Sequence, residues 1–422
     1  MTAREGVRVH VVGAGIAGLA CAVRLAHEGW SVVLYEAAAR AGGRCRTYSD
    51  SKLQRRIDNG NHILLTANRE ATSYLEEIGA RESMVGPERA AFPFVDLADG
   101  RRWTLSPNPG VIPWWIGDSA RRVPGSGPLE YLAGLRLAFA GADDRVVDIL
   151  DAGSTLFRRF WRPLTVAALN TAPEEASAKL LWLVVRETFF KGEAACRPLI
   201  AREGLGDSFV SPALRRLQEA DAELSFNSRL RRIERAGDRV GVLDFGERQI
   251  ALGPEDRVVL AVTPNVAGDL LPELQAPLDS RPIVNAHIVL PRRGLLPAEL
   301  PFIGLVGGSA DWIFVRGDVA SLTVSAADDL AELPNETVAE RLWHDTARAL
   351  QLDPAPKPPI RVIKEKRATF AQTPEALRRR APARTALKNL FLAGDWTDTG
   401  YPATIESAVR SGRAAARLAA KG

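Results

Sequence analysis

A glycine motif near the N-terminus constrains the fold of this chain more than any other feature. Gly13, Gly15 and Gly18 form the pattern GxGxxG directly after the apolar run VRVHVV. The first glycine of this pattern permits a tight turn, the second lets the backbone approach a pyrophosphate, and the third lets helix and strand pack closely. We therefore predict a strand over 7–12 and a helix over 16–28, whose N-terminus offers free N–H groups to phosphates.

The segment after this helix completes a dinucleotide-binding unit. A second apolar strand is predicted over 31–36, and it ends in Glu36, 18 residues after Gly18 (36 − 18). That position suits an acid that accepts hydrogen bonds from ribose hydroxyls. A glycine-rich structural turn is the alternative, but an acid at this strand end favours the nucleotide site.

Two further glycines and an arginine follow at Gly42, Gly43 and Arg44. Two glycines let the backbone come close to a ligand, and a guanidinium can neutralise a phosphate or a reduced flavin anion. A NAD-dependent dehydrogenase has no general need of this second element, so it favours FAD as the cofactor. For this stretch alone, a plain turn with a surface arginine is the alternative.

A second cofactor element is predicted near the C-terminus. A short apolar strand over 390–393 is followed by Gly394 and Asp395, and an acid at this end of a strand can accept hydrogen bonds from ribityl hydroxyls. A helix over 404–420 follows, with Thr404 as its candidate N-cap. The N-terminus of this helix can face the pyrimidine end of a flavin, where negative charge develops on reduction. An ordinary strand–loop–helix packed on the core is the alternative.

A polar cluster, Asp58-Asn59-Gly60-Asn61-His62, lies between a basic strand and an apolar run. Polar groups at such a junction often face a site. His62 is the candidate catalytic residue, because imidazole transfers protons near neutral pH. A structural histidine is the alternative, and only geometry can decide between the two.

Composition limits the class of protein. The formal net charge is +4, from 55 cationic and 51 anionic residues, which does not indicate nucleic-acid binding. The three cysteines show no metal-ligand spacing and fit a reducing compartment, so we expect a cytoplasmic protein without a metal. An uninterrupted apolar run of ~18 residues, which a spanning helix needs, is not found.

The order of the predicted strands and helices along the chain predicts a discontinuous layout, an α/β Rossmann-like FAD-binding domain with an inserted α+β substrate domain. The FAD-binding domain is predicted to consist of three segments, 1–72, 203–270 and 362–422. The substrate domain is predicted to consist of a lipid-facing insertion over 73–202 and a sheet with a helix over 271–361. The alternating pattern of 282–326 and the amphipathic pattern of 335–351 support the second of these.

Tryptophan and leucine are concentrated in part of the insertion. The residues are Trp103, Trp114, Trp115, Leu129, Leu132, Leu135 and Leu137. Such side chains can form an interfacial patch, which would make the protein peripheral on the inner face of the cytoplasmic membrane. The alternative, that they fill the core of the inserted domain, has at least equal weight.

These elements in this order resemble the FAD-dependent amine oxidase and phytoene desaturase superfamily. The resemblance rests on GAGIAGL, GGR and LFLAGDW…ATIESAVRSG. Four stretches are similar to the hydroxysqualene dehydroxylases, also called squalene-associated FAD-dependent desaturases. They are IDNGNHILL (57–65), RFWRPLTVAALNTAPEEASA (159–178), EKRATFAQTP (365–374) and AGDWTDTGYPATIESAVRSG (393–412).

The resemblance implies which residues contact FAD. They are Gly13, Gly15, Ile16, Ala17, Gly18, Glu36, Ala37, Gly43, Arg44, Gly60, Asn61, Leu230, Gly394, Asp395, Ala403, Thr404 and Ile405. Leu230 matches the position whose backbone usually meets the adenine. Asn61 departs from the family pattern, in which glutamine is more frequent at this position.

The resemblance also implies a reaction, the reductive removal of the hydroxyl group of hydroxysqualene to give squalene, a route that often leads to hopanoids. The substrate would be a long apolar isoprenoid, which needs a dry tunnel. The sequence has one dinucleotide fingerprint and no evident NAD(P)H site, so the electrons would come from an unidentified external donor. Three alternatives stay open: a carotenoid or squalene desaturase, an amine oxidase with Trp396 and Tyr401 in an aromatic cage, and a non-catalytic lipid carrier.

Overall fold

Two large β-sheets organise residues 6–421, the part of the chain that a computed structural model describes, and three small sheets of two or three strands accompany them. The strands in this range are β1 (Arg8–Val12), β2 (Ser31–Tyr35), β3 (Thr47–Asp50), β4 (Arg55–Asp58), β5 (Leu64–Leu65), β6 (Met84–Val85), β7 (Phe92–Asp96), β8 (Arg102–Leu105), β9 (Pro198–Ala201), β10 (Glu223–Ser225), β11 (Arg232–Ala236), β12 (Arg239–Asp244), β13 (Gln249–Ala251), β14 (Arg257–Leu260), β15 (Ser280–Val289), β16 (Phe302–Val306), β17 (Trp312–Arg316), β18 (Val319–Val324), β19 (Ile360–Phe370) and β20 (Leu390–Leu392).

Helices cover both sheets. The α-helices are α1 (Ile16–His27), α2 (Arg69–Glu77), α3 (Pro128–Leu132), α4 (Val146–Ile149), α5 (Arg162–Leu169), α6 (Ala178–Glu187), α7 (Glu193–Cys196), α8 (Ser211–Glu219), α9 (Pro264–Leu270), α10 (Asp328–Glu332), α11 (Asn335–Leu350), α12 (Pro374–Arg378) and α13 (Ile405–Lys421). Within residues 6–421, no helix is long and apolar enough to cross a membrane.

The first sheet is parallel and has the strand order β10-β2-β1-β14-β20. Its strands come from three distant parts of the chain, as the sequence predicts. Both faces are covered, which explains why β1, β2 and β14 read as apolar runs. Their carboxyl ends lie at one edge, where Gly13, Glu36 and Gly394 follow β1, β2 and β20. Ligands of open α/β sheets bind at this edge.

Helices α1 and α13 cross at close range over the first sheet. A Cβ atom on Gly412 would collide with the carbonyl oxygen of Ala17, so only glycine permits this approach. The contact fixes the C-terminal helix beside the glycine motif. The predicted helices over 16–28 and 404–420 are thus confirmed, each within one residue at either end.

The second sheet has the strand order β19-β15-β18-β17-β16-β7-β8 and is antiparallel except for the pair β16–β7. Helix α11 covers one face through Val338, Leu342 and Trp343. In the register, Asn285 and Trp312 both lie opposite Thr323. Because laterally paired residues point to the same face, all three side chains lie on the face opposite to α11.

Strand pairing corrects three predicted segment boundaries. Strand β19 runs to Phe370 within the second sheet, so the C-terminal segment of the FAD-binding domain begins after 370 and not at 362. Strands β7 and β8, predicted as part of the insertion, also belong to the second sheet. Helix α2 and strand β9 pack with the first sheet's core, although 73–202 was assigned to the insertion. Local patterns predict a strand but do not identify its partner, which is why these boundaries differ.

Candidate active site

The glycine motif forms a turn in which Gly13 and Gly18 are tightly packed, whereas Gly15 faces open space. Gly13 has φ +105°, and a Cβ atom there would collide with the carbonyl oxygen of Ala261. A Cβ atom on Gly18 would collide with the carbonyl oxygen of Gly13. A Cβ atom on Gly15, in contrast, would meet no atom within 4 Å. This open space lies at the N-terminus of α1, where a pyrophosphate would meet backbone N–H groups and the helix dipole.

Helix α1 leaves its first amides free for such a ligand. Its first intrahelical bond runs from the N–H of Leu19 to the carbonyl of Gly15 (2.9 Å). The amides of Ile16 and Ala17 therefore lie in the first turn, where a helix has no internal acceptors for them. Both residues are buried at the base of the open space, in agreement with their predicted contact with the cofactor.

Glu36 lies beside this turn. Its carboxylate accepts hydrogen bonds from the N–H groups of Ala14 (2.8 Å) and Ala38 (2.9 Å), one on each oxygen. A carboxylate offers about four lone-pair sites, so acceptor capacity for ribose hydroxyls remains. Ala37, which lies between Glu36 and Ala38 in the sequence, is exposed.

The segment that precedes β11 is tied to the same strand end. The N–H of Ser228 donates to the carbonyl of Glu36 (2.8 Å), and the N–H of Asn227 donates to that of Ala38 (3.1 Å). The buried Leu230 follows in the chain. Leu230 thus lies two residues after the residue that is bound to Glu36, and its contact with the adenine stays a prediction.

The Gly42-Gly43-Arg44 segment folds back over the glycine motif. The N–H of Gly42 donates to the carbonyl of Ala14 (2.8 Å), and a Cβ atom on Gly43 would lie 3.4 Å from the Cα atom of Gly15. Gly43 and Gly15 therefore face each other without side chains between them, which suits close approach of the backbone to a diphosphate.

Arg44 joins the N-terminal and C-terminal parts of the site. Its Nη2 lies 2.8 Å from Oδ1 of Asp395, and its Nη1 donates to the carbonyl of Ala368 at the end of β19. The negative charge of Asp395 raises the pKa of Arg44, so the guanidinium stays charged. With 38% of its side chain accessible, Arg44 also faces open space. A cation here can stabilise a reduced flavin anion.

The loop before α13 completes this side of the site. The N–H of Ala403 donates to Oε1 of Gln372 (2.9 Å), and Nε2 of Gln372 donates to the carbonyl of Leu169 (2.6 Å). The hydroxyl of Thr404 accepts a long hydrogen bond from the N–H of Ser407 (3.4 Å), which confirms the predicted N-cap. Ile405 is the first residue of the helix.

The polar cluster 58–62 lies between the first sheet and the second. Nδ2 of Asn61 donates to the hydroxyl of Thr323 (3.0 Å), which donates to Oδ1 of Asn285 (3.0 Å). A Cβ atom on Gly60 would lie 3.5 Å from Nδ2 of Asn285. The bond to Thr323 uses one of the two N–H groups of the Asn61 amide and fixes this side chain to the second sheet.

His62 carries a polar atom without a protein partner. Its Nδ1 is buried and makes no hydrogen bond in the part of the chain that the structure describes. Burial and, to a smaller extent, the positive charge of Arg44 lower the pKa of His62 to about 4. The ring is therefore neutral near pH 7. It can hydrogen-bond a substrate hydroxyl, but it is not an imidazolium acid.

Sequence reasoning missed several polar residues of this region, namely Asn285, Thr323, Arg316 and Gln372. Arg316 forms an ion pair with the buried Asp58 (3.0 Å) and so holds the polar cluster on β17. Asn285 and Thr323 are buried polar residues on the same face of neighbouring strands, and their alternation with the apolar residues of β15 and β18 is a signal that could have been noticed. Gln372 lies in one of the four stretches that carry the family resemblance, and its two contacts explain why that stretch matters.

Comparison with known proteins identifies the family. The model of the flavin containing amine oxidoreductases matches residues 16–420. Hydroxysqualene dehydroxylase from Sinorhizobium fredii is 44% identical over 97% of this chain and 98% of that protein. The chain belongs to the hydroxysqualene dehydroxylase family. The family member from Rhodopseudomonas palustris is 45% identical over 97% of each chain.

Membership in the hydroxysqualene dehydroxylases makes the chain an FAD-dependent oxidoreductase, as predicted. The solved structure of cyclohexylamine oxidase from Brevibacterium oxydans has the same fold. It superposes with a TM-score of 0.70 at 16% identity and covers 98% of this chain and 99% of that one. The α/β FAD-binding fold is thereby confirmed. The individual FAD contacts stay predictions, and the open turn at Gly15, the free helix amides and the charged Arg44 all fit the cofactor.

The open space at Gly15 predicts a selective effect of one methyl group. Gly15 has ordinary backbone angles (φ −74°, ψ 177°), so Gly15→Ala should fold as the wild type does. We expect the Kd of FAD to rise about tenfold or more, because the added carbon occupies the space of the pyrophosphate. Fluorescence titration of the apoprotein measures Kd, and its thermal melt reports folding.

Gly268→Ala in α9 is the matched control, since its Cβ atom would lie 3.8 Å from the nearest atom, Cδ2 of Leu278. An unchanged FAD affinity in Gly15→Ala would contradict the assignment of this turn.

Proposed function

We propose that this protein removes the hydroxyl group of hydroxysqualene reductively and releases squalene. The observation that carries the proposal is the membership of the hydroxysqualene dehydroxylases over nearly the whole chain. The site supports this function, because the predicted FAD residues lie near a neutral imidazole with an unpaired nitrogen, and the chain also carries a large apolar surface.

The reaction determines what the protein must supply. Replacement of a C–OH bond by a C–H bond consumes two electrons and two protons and releases water. FAD, when bound in its reduced form, supplies the electron pair as hydride. Hydroxide is a poor leaving group, so a hydrogen-bond or proton donor must assist its departure. The hydroxyl carbon is allylic, which allows the positive charge to spread over the neighbouring double bond. An external donor of unknown identity restores the reduced cofactor.

Two features of the chain meet these needs. The neutral His62 offers its buried, unpaired Nδ1 and so has a hydrogen-bonding site for the leaving hydroxyl or its water. Ile63, next in sequence, packs against the buried cluster of Ile200, Phe302 and Phe314, which keeps bulk water away. A dry environment strengthens such a hydrogen bond and protects a reactive cation from solvent.

The amine oxidase alternative is not favoured by the positions of its two aromatic candidates. Trp396 is fully buried, and its Nε1 donates to the carbonyl of Val262 (2.8 Å). The ring of Tyr401 is covered by the guanidinium of Arg410 at 4.1 Å. Neither ring is therefore free to form a cage for an amine. A desaturase would use the same cofactor site, and only the products distinguish it.

We also propose that the protein binds the cytoplasmic membrane through an exposed apolar surface. This surface consists of Val111, Ile112, Trp114, Leu129, Leu132, Leu135 and Phe139. Phe139 is 88%, Leu129 79% and Ile112 75% exposed. Exposure of this degree in large apolar side chains, clustered on one face, is typical of sites that contact lipid or another protein.

The apolar surface comes from two segments of the chain, 111–114 and 129–139, which pack side by side. The buried Trp115, next to the first segment, contacts the buried Tyr131 in the second, with ring centroids 5.2 Å apart. The guanidinium of Arg121 lies 4.8 Å from the ring of Trp114. Tryptophan beside a cation suits the headgroup level of a bilayer, and the proposed hydrocarbon substrate partitions into the same bilayer. These points favour lipid over a protein partner.

The predicted interfacial patch needs correction for three of its seven residues. Trp103, Trp115 and Leu137 are buried in the core with Phe157 and Trp161. For these three the core alternative is right, because their side chains point inward from the same segments whose neighbours point outward. The segments alternate between faces, which composition alone does not show.

Product analysis tests the proposed reaction and its direction. We expect mass spectrometry to detect squalene after anaerobic incubation of photoreduced holoenzyme with hydroxysqualene. Oxidised holoenzyme with squalene should give no desaturated product, and amines should give no peroxide. Desaturated product without dehydroxylation would replace the proposal with the desaturase, and no reaction of any isoprenoid would favour the lipid carrier.

Replacement of His62 tests its role in the departure of the hydroxyl group. His62→Ala should slow the single-turnover reoxidation of reduced flavin by hydroxysqualene about 100-fold. The pKa of about 4 means that His62 gains a proton only below the working range, so the wild-type rate should show no His62 titration between about pH 5 and 8.

His344→Ala, at an exposed position of α11, is the control for loss of an imidazole. An unchanged rate in His62→Ala would remove this residue from the mechanism.

Flotation with anionic vesicles tests the membrane surface. The double variant Leu129→Ser/Phe139→Ser should reduce the membrane-bound fraction about tenfold or more, because each burial of such a side chain contributes roughly 1.5–3 kcal/mol. Leu278→Ser is the matched control, since Leu278 is exposed but lies outside the surface. Wild-type protein that stays with the aqueous fraction would refute the surface.

A further inference from the structure

A group of aromatic rings covers part of the second sheet on the face opposite to α11. We call this group the aromatic wall; it consists of Phe92, Phe94, Trp103, Phe302, Trp312 and Phe314. The centroid of Phe302 lies 6.3 Å from that of Phe92, 6.0 Å from that of Trp312 and 6.3 Å from that of Phe314. The rings come from strands β7, β8, β16 and β17, so that the wall is continuous across four neighbouring strands.

A glycine in the middle of the wall allows the ring of Phe94 to pack directly against the backbone of the neighbouring strand. A Cβ atom on Gly304 in β16 would collide with the ring of Phe94. That ring packs against the backbone of β16, with its centroid 5.5 Å from Trp103 and 5.3 Å from Trp312. A glycine weakens a strand interior, so its presence often marks a place where another group approaches the backbone closely.

The wall begins where the polar cluster 58–62 ends. Trp312 lies opposite Thr323, whose hydroxyl binds Nδ2 of Asn61 at 3.0 Å. Ile63 packs against the wall near Phe302. Since His62 lies between Asn61 and Ile63 in sequence, Trp312 is the tryptophan of the wall on the side of His62, whereas Trp103 is three strands away.

The wall is open on this side and closed at its far end. Phe92 and Trp312 keep accessible surface although strands flank both of them, whereas Phe302 and Phe314 beside them are buried. At the far end, Trp103 is buried and the guanidinium of Arg159 lies 5.5 Å from the centroid of its ring. The half near His62 is therefore the part that a ligand can reach.

We infer that the isoprenoid chain contacts the aromatic wall at its accessible ring Trp312 and that Trp312 stabilises the positive charge that develops on the allylic carbon as the hydroxyl leaves. This inference rests on the proposed function. The face of an indole attracts cations more strongly than a phenyl face, and the attraction grows when water is excluded. No anion is needed for this stabilisation, which suits a substrate whose ground state is uncharged.

The test separates binding from charge stabilisation. Trp312→Leu keeps an apolar surface but loses the aromatic face, and Trp312→Phe keeps a smaller one. We expect Trp312→Leu to bind squalene within about threefold of wild type and to lower the single-turnover rate about 30-fold, which corresponds to about 2 kcal/mol. Trp312→Phe should have a single-turnover rate between that of the wild type and that of Trp312→Leu.

Three controls keep the result interpretable. Trp343→Leu makes the same truncation in α11 on the opposite face of the sheet and should leave the rate unchanged. FAD content shows that each variant is loaded. Trp312→Met gives the same contrast with Trp312→Phe if the leucine variant does not fold.

The outcomes distinguish the inference from the function on which it rests. A wild type that does not convert hydroxysqualene contradicts the proposed function. An active wild type together with a Trp312→Leu or Trp312→Met rate within about threefold of it overturns the inference alone. Equal losses of squalene affinity and of rate would likewise overturn the charge role and leave Trp312 as a binding surface only.

Discussion

The ion pair between Arg44 and Asp395 joins the two ends of the chain at the cofactor site. Asp395 is almost fully buried, and its partner also donates to the carbonyl of Ala368 at the end of β19. Removal of Arg44 would leave the buried carboxylate of Asp395 without its charged partner, which is destabilising. One guanidinium thus connects the glycine motif, the C-terminal strand and the second sheet, and the FAD site can exist only when all three are in place.

The second sheet presents two chemical environments on one face. Asn285 and Thr323 hold the polar cluster beside the cofactor region, and the aromatic wall starts on the neighbouring strand at Trp312. Hydrogen-bonding groups and a dry aromatic surface are therefore only one strand apart. A reaction that breaks a C–O bond within a hydrocarbon needs such a boundary, because the departing oxygen requires a polar contact while the carbon chain requires exclusion of water.

Much of the fold was predictable, because the decisive signals are local. The glycine motif, Glu36 and the strand before Gly394 each lie within a short window, and the structure brings them together at one sheet edge. The parts that were not predictable depend on distant partners. The extension of β19 to Phe370, the contacts of Gln372 and the burial of Trp115 follow from packing that no local pattern encodes. The lowered pKa of His62 arises from burial and from the charge of Arg44, so it requires the three-dimensional site.

In the proposed reaction, an electron pair passes from reduced FAD to a hydroxylated isoprenoid held against the second sheet. Anaerobic stopped-flow mixing of photoreduced holoenzyme with hydroxysqualene tests this transfer, with flavin absorbance and the squalene in quenched samples followed together. One squalene should form for each flavin oxidised, with the same rate constant for both signals. Flavin that stays reduced, or that reoxidises without squalene, would contradict it.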